Sequence, residues 1–166
     1  MCHVSQHGYG GVARTIPDRI GPEMDTIVVG VDNSDASTRA VEFAVERAKI
    51  NQWKVVLMHV IPWSPFSFNT PSENDHRHRE KQREIEAAQE QILVPMADIA
   101  EKGGVPHSEV VRHGKPSETI LEVCDEEKAV HLIVGRTGDS GLRESVFGSV
   151  ASRLAQHATV PVTVVP

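Results

Sequence analysis

No apolar run in the sequence approaches the roughly 20 residues that a helix needs to cross a bilayer, so no membrane span is expected. The opening stretch MCHVSQHGYGG has neither a basic start nor an apolar stretch, which argues against a secretory signal. Cysteine is scarce. Cys2 and Cys124 lie far apart in different contexts and give no disulfide framework. Positive charge is also short: 17 Lys and Arg face 23 Asp and Glu, for a net charge of −6. That balance excludes a nucleic-acid partner held mainly by charge. These shortages together lead to the expectation of a cytoplasmic protein. What remains, 39% hydrophobic and 24% charged residues in a chain of 166, suits one globular domain with a real core.

Residues 1–23 combine glycines, Pro17, Pro22 and scattered polar residues without a period of 2 or 3.6, and read as a flexible tail. Cys2, His3 and His7, even with His76 and His78, match no closed zinc spacing, so no metal site is assigned. Residues 24–166 read as one α/β domain. TIVVGVD (Thr26–Asp32) is a β-branched run of the kind found in strands covered on both faces. NSDAS offers Ser34 and Asp35 as helix caps, and Ala40, Val41, Ala44, Val45 and Ala48 follow on one helical stripe. Lys54–Ile61 is a second strand. Pro62 and Pro65 then break into a loop carrying Trp63, Phe66 and Phe68, for which a partner site and a lid are both open readings. A long helix is expected over about 72–102, kinked or broken at Pro95 and ended by Gly103–Gly104. HSEVVRHG is a third strand, and KPSETILEVCDEEK a helix that packs Cys124 inward. Ala129–Gly135 is a fourth strand. A helix with Val146, Val150 and Leu154 spaced by four comes next, and Val160–Val165 closes the set. Strands alternating with helices imply a parallel sheet with right-handed crossovers, sandwiched between two helical layers.

GRTGDSGLRESVFGSVASRL (Gly135–Leu154) places four glycines ahead of the last helix. Glycine there could serve tight turns and close helix–strand packing. Alternatively, the helix starts near Gly148, residues 139–147 fold back as an excursion, and the first helical N–H groups with the Ser149 hydroxyl face a phosphate. Spacing alone leaves both readings open. Known phosphate loops do not fit. GRTGDSGLR has no P-loop lysine; HGKPSE has Pro116 for the hydroxyl residue and Glu109 for the first glycine; and the first strand runs into GVDNSDAS, not G-x-G-x-x-G.

The spacing Gly135-x2-Gly138-x9-Gly148-Ser149 resembles the G-2x-G-9x-G-[ST] signature of the ATP-binding universal stress proteins. IVVGVDNSDAS resembles that family's first strand and turn, VVLMHVI its second strand and HATVPVTVVP its closing strand, so the likeness covers about residues 25–166. It implies a Rossmann-like (adenine nucleotide alpha hydrolase-like) three-layer sandwich around a five-stranded parallel sheet in the order 3-2-1-4-5. It also implies bound ATP. Asp32 would face the nucleotide, the Val60 backbone would read the adenine edge, and Gly135 would lie against the ribose. Gly138, Gly148 and Ser149 would cradle the phosphates, with Val150 adding a backbone donor. Magnesium commonly accompanies the triphosphate in such sites, held through phosphate oxygens. On the residues alone, Asp32 could instead cap the first helix, and Val60 could simply be core.

The function implied is that of a nucleotide-dependent regulator of stress response, working by a conformational or partner switch. The alternative is a slow ATPase or autophosphorylating enzyme. Asp139, Ser140, Glu144 and Ser145 could serve there, but no dedicated catalytic set is assigned. A purely structural dimerisation module is disfavoured by the complete glycine pattern. The apolar closing strand Val160–Val165 would be a bare sheet edge in a monomer, and the family commonly pairs there, so a homodimer is expected.

Overall fold

The computed structural model describes residues 24–63, 71–138 and 147–166, with side chains 71–77 excepted. The expected tail, the loop residues Phe66 and Phe68, and the excursion residues Asp139, Ser140, Gly141, Arg143, Glu144 and Ser145 therefore lie outside the described residues.

Strand β1 (Thr26–Gly30) is apolar on both faces and almost wholly buried, as its β-branched run requires. It is two residues shorter than the run suggests, because the chain turns away at Val31 and Asp32. Helix α1 (Asp35–Asn51) begins at Ser34, whose side chain accepts the Ser37 N–H, and buries the expected Ala40, Val41, Ala44, Val45 and Ala48 stripe. Asp35 occupies the first turn instead of the cap, where its charge complements the helix dipole. Strand β2 (Lys54–Pro62) follows.

The long helix is divided. Helix α2 (Pro71–Ala88) passes through a π-helical turn, Gln89–Leu93, into α3 (Val94–Lys102). Pro95 is the physical reason. It cannot donate to Gln91, four residues back, and its ring would strike that carbonyl. The wider turn just before it, with the Val94 N–H donating to the Gln89 carbonyl, accommodates the proline without ending the helix. Gly103 and Gly104 then stop it, Gly104 at φ +67, where a side chain is strained.

Strand β3 (His107–Gly114), helix α4 (Pro116–Glu126), strand β4 (His131–Gly135), helix α5 (Ser149–His157) and strand β5 (Val162–Val165) complete the chain. All four strand pairings are parallel, in the order β3-β2-β1-β4-β5. Alternating side chains divide the core. Ile27, Val29, Val55, Leu57 and Ile133 pack under α1 and α3, while Val28, Val56, Met58, Leu132 and Val134 pack under α4 and α5. The expected three-layer sandwich is thus observed. Among the described residues, no helix is long and apolar enough to cross a membrane. Strand order reverses at β1, whose neighbours are β2 and β4. A crevice must therefore open beyond the carboxyl ends of β1 and β4.

Candidate nucleotide site

That crevice has a volume of about 350 Å³. Its apolar wall includes Met58, Val60, Ile120 and Val134, and its polar side is formed by the β1–α1 turn and the start of α5. Asp32, Val60, Gly135, Gly138, Gly148, Ser149 and Val150 all line it, although they come from four separate parts of the chain.

The β1–α1 turn is built around Asp32. Its Oδ1 accepts from the Ser34 N–H (3.0 Å), from the Ser34 hydroxyl, and from the Ser37 hydroxyl (2.7 Å). The Ser37 Oγ in turn accepts the Asp32 N–H at 2.9 Å. One carboxylate oxygen thus organises the entry to α1, as the capping reading suggested, although Ser34 itself is the cap. The other oxygen, Oδ2, is turned towards Gly138: a Cβ there would lie 2.7 Å from it. Asp32 can therefore serve the turn and the crevice together.

The glycines divide by role. A Cβ on Gly135 would lie 2.9 Å from the Ala36 carbonyl carbon and from its Cβ, so close packing of β4 against α1 requires glycine there. Gly138 leaves room for the Asp32 carboxylate. Gly148 lies against the Arg136 carbonyl, which a Cβ would approach to 3.1 Å, and its N–H donates to that oxygen at 2.8 Å. This bond holds the end of β4 against the start of α5. Gly148 is also the N-cap of α5, and among the described residues no side chain caps this end. The first intrahelical bond runs from Ser152 N–H to the Gly148 carbonyl at 3.0 Å. The amides of Ser149, Val150 and Ala151 therefore have no helical partner and stand at the crevice.

Val60 presents its backbone. Lys54 N–H donates to Asp25 and the Met58 carbonyl accepts from Val31, so even-numbered residues of β2 direct both polar groups towards β1. Val55 and Trp63 N–H groups donate to Pro106 and Gly114, so odd-numbered residues face β3. Val60 is even, and it lies past Gly30, the last residue of β1. Its N–H and C=O are aimed over the end of that strand.

Sequence reasoning did not single out Ser37, His59 or Thr137. Ser37 was legible in the spacing Asp32-x-Ser34-x-x-Ser37, which sets both hydroxyls within reach of one carboxylate at a helix start. The Thr137 carbonyl lies 3.3 Å from the Ser34 hydroxyl, tying the two crevice loops together, and no sequence pattern announces it. Among the described residues, no group of three or more His, Cys, Asp or Glu side chains could hold a metal.

A parallel α/β sandwich with a polar crevice at its switch point and a glycine-flanked helix start, but no P-loop lysine, defines a restricted class of proteins. The sequence profile of the universal stress protein family matches residues 23–166, and the chain belongs to that family. Universal stress protein MJ0531 of Methanocaldococcus jannaschii is 33% identical over 140 residues, covering 84% of this chain and 80% of that protein. Among solved structures, a universal stress protein from Archaeoglobus fulgidus in complex with dAMP has a TM-score of 0.64 at 27% identity, covering 86% of this chain and 98% of the other. Another, a universal stress protein in complex with cAMP, has a TM-score of 0.60 at 28% identity over 86% and 96% of the two chains.

Proposed function

We propose that this chain is an ATP-binding universal stress protein, a cytoplasmic regulator whose occupancy by nucleotide shifts a loop arrangement or an assembly. The observation that carries the reading is the start of α5, which no side chain of the described residues caps: the amides at residues 149–151, beside Gly138 and Gly148, are suited to phosphate oxygens. The Val60 N–H and C=O match the N1 acceptor and N6 donor of adenine. Asp32 would face the nucleotide and the Gly135 backbone would lie against the ribose, both lining the same crevice. Magnesium would enter with the triphosphate through its phosphate oxygens. Binding of dAMP and cAMP by the two relatives supports the adenine part of the reading; the three phosphates rest on α5.

Calorimetric titration of ATP, ADP, AMP and cyclic AMP against wild type and the Gly138→Val, Gly148→Val double variant tests it. ATP should bind the wild type and not the variant. Equal binding by both, or none by either, would remove the proposed site. Analysis of the same mixtures for ADP and phosphorylated protein separates a binder from a hydrolase.

The reading extends to a homodimer joined along β5. Val162–Val165 carries no charge and is only half-buried at one edge of the sheet. The opposite edge, β3, carries Glu109 and Arg112, the latter paired to Glu126 at 2.7 Å. A monomeric mass by light scattering at micromolar concentration would refute the dimer.

A further inference from the structure

His59 does not itself line the crevice, yet it reaches Val31, which does, at the point where β1 ends. Residues 55 and 57 of β2 face α1 and α3, whereas 56, 58 and 60 face α4 and α5. By this alternation His59 projects to the side of the sheet opposite the crevice. From there its Nδ1 reaches the Val31 carbonyl at 2.8 Å. A carbonyl only accepts, so Nδ1 carries the hydrogen.

This bond changes the ladder. The β1–β2 register pairs Gly30 with Met58, and the Val31 N–H still donates to the Met58 carbonyl at 2.8 Å. One step further, a continuing parallel ladder would have the Val60 N–H donate to the Val31 carbonyl. Among the described residues no backbone bond joins Val60 to Val31. The imidazole holds that oxygen instead.

We propose that His59 is a positioning residue that takes the Val31 carbonyl out of the ladder and so leaves the Val60 N–H available to an adenine ring. Its effect on base choice rests on the nucleotide reading above; its effect on the ladder does not. Adenine offers an acceptor at N1 and a donor at N6, complementary to an N–H and C=O on one residue. Guanine offers the reverse, N1–H and O6. Freeing the pair therefore favours adenine in particular. The Nδ1–H donor is present in neutral and charged imidazole alike, so the device does not require a change of protonation.

Amide hydrogen exchange on the nucleotide-free protein tests the ladder first. In the wild type the Val60 amide should exchange at least tenfold faster than that of Met58. In His59→Leu, where the Val31 carbonyl has no other donor, Val60 should become at least tenfold slower. ATP affinity of His59→Leu should fall about fivefold to tenfold, the worth of one hydrogen bond, while GTP binding changes less than twofold. His59→Asn, which keeps an amide donor near the Nδ1 position, should retain both the exchange pattern and the ATP preference. A Val60 amide as protected as Met58 in the wild type would overturn the inference. So would equal losses of ATP and GTP in His59→Leu. If the exchange pattern holds but the wild type binds no adenine nucleotide, the nucleotide reading fails and the positioning of Val60 stands. If ATP binds and His59→Leu alters neither exchange nor base preference, the reverse follows.

Discussion

Alanine at Gly135 and alanine at Gly138 are the same chemical change three residues apart, and the structure assigns them different consequences. At Gly135 the new methyl would lie 2.9 Å from the Ala36 carbonyl carbon and Cβ. Carbon atoms pack comfortably at about 3.5–4.0 Å, so strand and helix must separate by roughly 0.6–1.1 Å. Neither yields easily. β4 is paired on both sides, to β1 and to β5, and Ala36 is buried in the first turn of α1 beside the Asp32–Ser37 bonds. Overpacking of this kind costs about 1–3 kcal/mol. For a chain of this length each kcal/mol lowers Tm by roughly 2–4 °C, so Gly135→Ala should melt about 2–12 °C below wild type. At Gly138, among the described residues, a Cβ would meet Asp32 Oδ2 at 2.7 Å, a side-chain end that must shift against the Ser34 and Ser37 bonds holding Oδ1, while no backbone has to move. That variant should lose about 0.5–1.5 kcal/mol, the worth of one weakened hydrogen bond and less than Gly135→Ala, and lose ATP affinity about tenfold or more. Urea unfolding with thermal melts, followed by calorimetry, measures both. An unchanged Tm for Gly135→Ala, or a Gly138→Ala variant that is the less stable of the two, refutes this division of roles.

Ser37→Ala removes the hydroxyl that both accepts the Asp32 N–H and donates to its carboxylate; the fully folded protein should lose about 1–3 kcal/mol in urea unfolding and bind ATP more weakly. His131 is half-buried, with Nε2 2.8 Å from the Thr163 hydroxyl, and burial lowers its pKa from the ordinary 6.5. The unfolded chain then binds a proton before the folded one does. Stability should be full above about pH 6.5 and decline as pH falls through that value towards the folded-state pKa, and His131→Gln should flatten the slope. Burial pushes the Cys124 thiol up to about 12, so thiol reagents at pH 8 should label it in urea and scarcely at all in the native protein. Rapid native labelling would mean that α4 opens readily.

Regular elements were legible wherever one residue's neighbours in sequence decided its state. A cap at Ser34 or Asp35, the alanine and valine stripe of α1 and the Gly103–Gly104 stop follow from local patterns, whereas spacing alone left the start of α5 at Gly148 open. Strand ends were less legible. β1 stops at Gly30, just before the Val31 carbonyl that His59 reaches from another strand, a contact that spacing within TIVVGVD cannot express. Pro95 signalled a disturbance, yet whether it would kink, break or widen the helix depended on packing of Leu93 and Met96 against the sheet, which the π-helical turn preserves. At the crevice, the glycine spacing singled out residues that the fold brings together. It could not separate Gly135, fixed by Ala36, from Gly138, fixed by Asp32. Residue type was readable; the neighbour that demands it was not.

The position of β1 between β2 and β4 has a consequence for synthesis. During translation, residues 24–114 can assemble β1, β2 and β3 with α1 and α3 before β4 has been made. At that stage Asp32 and Val60 are in place, but Gly135, Gly138 and α5 do not yet exist. The crevice is completed only when the late half docks on the early one. A ligand held there therefore clasps the first and last parts of the chain to each other and binds the finished protein alone. At a hundred times its dissociation constant it would add about 2.7 kcal/mol to the stability of that finished state. Abundant nucleotide would then act as a selective preservative, lengthening the life of complete molecules and leaving truncated ones to proteolysis.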